Sequence, residues 1–560
     1  MLRVIQLSLV TSSSILIFSL MCQLPRGVRS CAPADRIALS SFSNNLDTAI
    51  HGWPGADNYS DDCCRWLGVR CRRFGAYGGE LRVASLDLAG RGFTGALPST
   101  LARLDELRVL NLSRNSLHGA LPPELLHMPR LEVLDLSQNN LTGELGGEEP
   151  APPGASGLVH LDVSLNRLTS LRSGVFLGLP RMRRFSAESN QLTGALPGSL
   201  SSCSELEYLN MANNSLHGNL GLNLNFSHLT RFPAPAGAVL LRHRHQQHQR
   251  HSAGTPGAPG VPCLAVLILT TNFQGEEMPG ASAIRGFPSL RLLGIANCAL
   301  RGAVPPWLRA SARLGMLDLS WNRLTGQIPP WLGGFDSLYR IDLSNNALAG
   351  EIPLSLARLR SLAGSALGAQ VSMSEYGVRL YNWHVDRGQL WHNSNIPPSM
   401  DLSRNGLAGA IPPELGDLRA LNLSWNALSG PIPATLATLS ALQTLELSHN
   451  ELAGEIPASL VGLTLLSCFD VSHNRLRGLV PAAAQFSTFP CSSFAGNPGL
   501  HSEYCDGNGV VGRAQETDGT LLAVGSEMFG LPFWLGMIFG LCATMFVHVV
   551  MLESTARRSR

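Results

Sequence analysis

Apolar residues recur along most of this chain in one short pattern: leucine-type positions spaced LxxLxL, two variable residues, then an asparagine. The pattern is plain at Leu107-Arg-Val-Leu110-Asn-Leu112-Ser-Arg-Asn115 and over Leu131–Asn139, and again over Leu314–Asn322, Leu338–Asn346 and Leu442–Asn450. A run such as Leu348-Ala-Gly350-Glu-Ile352-Pro353 commonly follows. Alternation within LxL predicts a short strand whose leucines face inward and whose middle residue faces out. The asparagine turns the chain and can satisfy backbone groups that would otherwise be buried unpaired. Each buried leucine contributes roughly 1.5–3 kcal/mol before chain entropy is charged. No single coil can fold alone on that basis, so the coils must stack. About fourteen are expected between Val83 and Val480.

The motif asparagines mostly fall 24 residues apart, inside the leucine-rich-repeat range. The predicted fold class is therefore an α/β solenoid, a right-handed superhelix with short parallel strands on its concave face. Cys298 takes the asparagine position in one coil, a substitution that slot tolerates. The organisation expected is a signal peptide at 1–30, a cysteine-rich N-terminal cap at 31–80 and repeats at 81–230. An irregular His/Pro/Gly-rich interruption at 231–262 is followed by repeats at 263–362, an island loop at 363–398 and repeats at 399–481. A C-terminal cap and juxtamembrane segment at 482–528, a transmembrane helix at 529–552 and a cytoplasmic tail at 553–560 complete it.

The two end segments rest on their own patterns. Arg3, an apolar stretch to Leu20 and a polar close at Val28-Arg29-Ser30 have the layout of a signal peptide. Phe529 to Leu552 runs 24 residues without a charge, enough to span a bilayer, and Arg557, Arg558 and Arg560 follow it. Type I topology is expected, at the plasma membrane with the ectodomain outside.

Composition narrows the function. The chain is 15% charged with a net charge of +2, and no basic face of the kind nucleic acid needs is evident. It holds no lysine, so all 42 basic residues are arginine; Schiff-base chemistry and the phosphate-binding lysine of kinases are excluded. No nucleophile elbow or zinc motif is present. A non-enzyme without cofactor, catalytic residues or metal is expected. The run Arg242-His-Arg-His-Gln-Gln-His248-Gln-Arg250-His251 lies among Pro, Ala and Gly without a nearby carboxylate or cysteine, and reads as a loop rather than a metal site. His449 and His473 read as exposed concave-face residues rather than general bases.

In a secreted chain Cys31, Cys63, Cys64 and Cys71 read as two disulfides of an N-terminal cap, and Cys491 and Cys505 as the closure of a C-terminal one. Cys203, Cys298 and Cys468 read as free thiols. Asn58, Asn111, Asn140, Asn213, Asn225 and Asn422 begin N-glycosylation sequons.

The middle residue of each LxL forms a column: Asp87, Asn111, Asp135, Asp162, Ser186, Asn210, Ile268, Gly294, Asp318, Asp342, Asp401, Asn422, Glu446 and Asp470. Acids dominate it but are missing from Ser186 to Gly294. Acidic consensus with local drift is one explanation. The other is that an anionic or neutral peptide lies there, which an acidic ladder would repel.

Several segments resemble the plant leucine-rich-repeat receptors, the phytosulfokine receptors in particular. They are Leu267-Ile-Leu-Thr-Thr-Asn272-Phe-Gln-Gly275-Glu-Glu-Met-Pro279, Ile295-Ala-Asn297-Cys298, Leu317-Asp318-Leu-Ser-Trp321-Asn322-Arg-Leu-Thr-Gly326 and Gln485-Phe486-Ser-Thr-Phe489-Pro490. The resemblance implies a plasma-membrane receptor whose concave side and island hold a small sulfated peptide. It implies ligand contact at Thr271, Asn297, Asp318 and Trp321, and a co-receptor kinase with a leucine-rich-repeat ectodomain as partner. The family's kinase has no counterpart in the sequence, so signalling through a partner kinase is expected. The interruption replaces family coils, Gly368-Ala-Gln-Val371 replaces an aromatic-then-basic strand, and His501 stands where the family usually has a cysteine, with Cys491 as the substitute partner. Tyr376, Tyr381, Trp383 and Trp391 of the island are either recognition groups or fasteners. Alternative functions are defence-type recognition, inhibition of an enzyme, and a non-signalling decoy.

Overall fold

The computed structural model describes residues 30–54, 60–74, 80–147, 156–218, 263–280, 284, 286–357, 359, 380–381, 390–391, 397–416, 418–481, 484–502 and 505. All of them fall within the compact unit Met1–Asn508. The signal peptide, the interruption at 231–262, nearly all of the island, the transmembrane helix, the tail, Asn58 and Asn225 lie outside the described residues. Among the described residues no helix is long and apolar enough to cross a membrane.

The LxL segments form the strands that the alternation predicts. They build one 15-stranded sheet. Its first strand, Val69–Arg73, comes from the N-terminal cap and pairs antiparallel with Leu81–Asp87. The other fourteen run from Leu81–Asp87 to Cys468–Asp470, each pairing in parallel with its neighbour as Val109–Asn111 does with Val133–Asp135. Leu110, Leu134, Leu161, Leu209, Leu267 and their equivalents are fully buried, so the strand leucines are the spine of the core.

Two features differ from expectation. The return limb of each coil is mostly a short 3-10 turn, such as Pro123–His127, Pro330–Gly334 or Ala458–Gly462. A 24-residue coil that also contains a strand leaves only about one tight turn for helix. The longest described α-helix, Pro33–Asn44, belongs to the cap. Second, the stretch after each asparagine pairs with its neighbour too. One such ladder joins Thr94–Ala96, Ser116–Ala120, Asn140–Leu145 and Arg167–Leu171, and an eight-stranded one runs from Arg301–Gly302 to Gly499–His501.

The asparagines work as the pattern implies. Asn139 donates from Nδ2 to the carbonyls of Leu136, at 3.0 Å, and of Leu112 in the preceding coil, at 3.0 Å. Its Oδ1 accepts from Leu117 N–H at 3.0 Å. Asn322, Asn346, Asn405 and Asn450 repeat the arrangement. At Cys298 the thiol reaches the carbonyls of Ala296 and Leu269, and the N–H of Gln274 turns to the Glu276 carboxylate instead. Burial pushes that thiol up to about 12, which leaves it an inert core group.

Neither long break in the repeat breaks the sheet. Tyr208–Asn210 pairs in register with Val266–Ile268, and Arg340–Asp342 with Ser399–Asp401. Within the island, Leu380–Tyr381 and Leu390–Trp391 pair antiparallel.

Both ends are sealed. The disulfides are Cys31–Cys63, Cys64–Cys71 and Cys491–Cys505, while Cys203, Cys298 and Cys468 are free. In the N-terminal cap the buried Asp35 accepts from Arg82 Nε at 3.1 Å and Val83 N–H at 2.7 Å, which ties the helix to the first repeat strand. At the other end Phe469 packs against Phe486, Phe489 and Phe494. Asn497 continues the asparagine ladder there, donating to Val471 O at 2.9 Å.

Candidate functional site

The outward column is a continuous row across the sheet. Strand register places Asp87 beside Asn111, Asn210 beside Ile268, Ile268 beside Gly294, Gly294 beside Asp318, and so on to Asp470. Its acids have a local structural role. Oδ1 of Asp318 accepts from the N–H of Ser320 at 3.1 Å and its hydroxyl at 2.7 Å. Asp135, Asp342 and Asp401 do the same with Ser137, Ser344 and Ser403. An acid two residues before a serine thus fixes the turn that follows the strand, which accounts for its recurrence without any ligand.

Where the acids are missing, the row is not an open surface. Ser186, Asn210 and Ile268 are only 4%, 1% and 3% exposed. Asn210 donates to the buried Glu188 carboxylate at 2.9 Å, and the Arg184 guanidinium lies 3.9 Å from the centre of the Tyr208 ring. This correction to the outward-facing reading has a local cause at Asn210, whose amide is held by Glu188 and the Tyr208 hydroxyl.

The four residues expected to meet ligand occupy three successive coils, Asp318 and Trp321 sharing the last. Thr271, Asn297 and Trp321 each precede the asparagine-slot residue and hold left-handed backbone, with φ of 56°, 52° and 55°. Each donates its N–H to the next coil, to Ala296, Ser320 and Ser344 respectively. Asn297 and Trp321 open, with Arg323, Asn345 and Arg404, onto one cleft of about 440 Å³. The half-buried Thr271 and Asp318 are not among its lining residues. Burial first, and then the charge of Asp342 in the neighbouring strand, raise the Asp318 carboxyl to about 6.

The same left-handed column continues past the cleft into a stack of planar groups. Arg404 lies over Trp425 with its guanidinium 4.8 Å from the ring centre. The Trp425 and His449 rings are stacked at 3.7 Å, and His449 and His473 at 4.2 Å. Gly496 ends the stack: a Cβ there would come within 2.6 Å of the His473 imidazole. Burial, followed by the charges of His473 and Arg404, lowers the affinity of His449 for a proton. Arg404, Trp425, Asn345 and Arg323 escape a reading based on motif leucines. Aligning each coil on the residue before its asparagine would have found the first three.

Known proteins share this construction. Residues 82–141, 156–216 and 416–476 match the leucine rich repeat family, as do 313–335 and 337–359, and residues 32–72 match the leucine rich repeat N-terminal domain. Phytosulfokine receptor 2 of Arabidopsis thaliana is 47% identical over 163 residues, 29% of this chain and 16% of the relative. Phytosulfokine receptor 1 of the same plant is 40% identical over 85 residues, 15% of this chain and 8% of the relative. The chain carries leucine-rich repeats and is similar to plant receptors over those segments. It matches less than a fifth of the length of either relative. Among solved structures, it is similar to the ectodomain of the Arabidopsis receptor kinase HAESA in complex with a peptide hormone ligand. That similarity has a TM-score of 0.51 at 25% identity, over 75% of this chain and 62% of that one.

Proposed function

We propose that this protein recognises an extracellular, phytosulfokine-like peptide at the plasma membrane. It would do so on the strand face between Thr271 and Trp425, and act with a co-receptor kinase that has its own leucine-rich-repeat ectodomain. The observation that carries the reading is the cleft where Asn297 and Trp321 meet Asn345 and Arg404, beside the strand of Asp318. The relatives named above and the peptide-bound HAESA ectodomain support the ligand class.

The protein's part is to present fixed groups. Trp321 is 45% exposed and offers apolar area with few rotamers to lose. Asn297 and Asn345 are suited to pair with a peptide backbone, and Arg323 and Arg404 supply positive charge. Asp318, raised to about 6, is half neutral near that pH and repels an anionic ligand less than an ordinary carboxylate would.

A pull-down of the purified full chain with sulfated and unsulfated phytosulfokine, with and without a co-receptor ectodomain, tests the proposal. Retention of co-receptor only when peptide is present is expected. Capture of neither peptide, or of co-receptor regardless of peptide, contradicts it.

A further inference from the structure

The planar stack contains a gap, and the gap coincides with the cleft. Six consecutive coils place one residue each in the same left-handed position: Trp321, Asn345, Arg404, Trp425, His449 and His473, with φ between 52° and 57°. Their order is fixed by the backbone. Trp321 donates its N–H to Ser344, Asn345 to Ser403, Arg404 to Ser424, Trp425 to Ser448 and His449 to Ser472, all at 2.9 Å. From Arg404 onward every rung is planar and separated from the next by 3.7–4.8 Å. Trp321 supplies another planar group at the other end. Between them stands Asn345, too short to form a rung.

Two coil steps span about 9.5 Å. That is close to twice an ordinary stacking separation of about 4.5–5 Å. The cleft of about 440 Å³ lies at this place, lined by Trp321, Asn345 and Arg404 among others. The amide nitrogen of Asn345 is buried and has no hydrogen-bond partner, so the floor of the gap carries an unused donor.

We infer that this gap is a receptor subsite for one aromatic side chain of a bound peptide. The incoming ring takes the missing rung between the Trp321 indole and the Arg404 guanidinium. A flat, π-rich group is selected because one wall is aromatic and the other a cation, each favouring a ring face. The subsite rests on the peptide-recognition reading, and the first part of its test uses peptides unrelated to the hormone.

The purified full chain is mixed with the capped tripeptides Ac-Ala-Tyr-Ala-NH2 and Ac-Ala-Leu-Ala-NH2, and saturation transfer to each side chain is measured by NMR. Transfer to the tyrosine ring and none to leucine is expected. Asn345→His fills the rung from within. The left-handed backbone accepts histidine, as it does at His449 and His473, so the fold persists and the tyrosine signal is lost. Arg404→Ala removes one wall and loses it as well, which keeps the test decisive if Asn345→His fails to fold. Equal transfer to tyrosine and leucine, or a tyrosine signal unchanged in a folded Asn345→His protein, overturns the subsite. Hormone binding that survives Asn345→His overturns it while leaving the receptor reading intact; tyrosine binding without any hormone binding does the reverse.

Discussion

Asp318 serves two opposed demands. Its Oδ1 fixes the turn at Ser320, yet burial and the neighbouring Asp342 raise its carboxyl from the usual range to about 6. The folded state therefore holds this proton more tightly than the unfolded chain does. Such a group favours folding below about pH 4, and that contribution is lost as pH rises through about 6. The difference in melting temperature between Asp318→Asn and the parent should move in the variant's favour from pH 4 to pH 7; a difference independent of pH contradicts the assignment. The asparagine ladder gives a second test at this scale. Asn450→Ala strands Leu428 N–H and takes one of two asparagine donors from the carbonyls of Leu423 and Leu447, which keep Asn426 and Asn474; the buried N–H left unpaired costs about 1–3 kcal/mol. Asn450→Cys should cost less in urea unfolding, because the Cys298 thiol shows that sulfur can take the donor half of the role. Equal losses for the two variants contradict that view.

At the scale of the element, legibility followed locality. Asp87 through Asp470 could be aligned from sequence because each strand is set by a leucine pair within one coil, and parallel pairing then puts equivalent residues side by side. The second ladders were not legible: Arg323–Gly326 carries one apolar residue, too few for an alternation. Nor was the burial of Asn210, whose amide reaches Glu188 and Tyr208. The disulfide partners within the N-terminal cap followed from the fold, since four cysteines admit three pairings. Of the site, Thr271, Asn297 and Trp321 were readable as one column; Arg404 and Trp425 stand in the same position before Asn405 and Asn426, but their stacking shows only once the sheet is seen to cross the island. The pairing of Asn210 with Ile268, 58 positions on, against 24 between Asp318 and Asp342, carries its own prediction. Removing 231–262 restores nearly the normal coil length, and the circular dichroism and melting temperature should stay close to those of the parent. Aggregation or loss of β signal would show that the segment is needed for folding.

For the whole molecule, a one-dimensional stack is as stable as its ends. Closing 14 residues of chain, Cys491–Cys505 stabilises by about 3 kcal/mol in the loop-entropy account, and the closed loop holds Phe494, which packs on Phe469 of the last coil. Cys491→Ser with Cys505→Ser should lower the melting temperature and raise hydrogen exchange first in 444–480, leaving 107–145 protected; a uniform rise along the chain contradicts a cap acting on its own end. Between the sealed ends the strand face is a rigid template, and peptide recognition on it is the central claim. Calorimetric titration of the full chain with phytosulfokine tests that claim most directly, comparing the parent with Asp318→Ala/Trp321→Ala, whose fold is checked by its melting curve. Binding by the parent and none by the folded double variant is the predicted result. Equal affinity in the two proteins would contradict it.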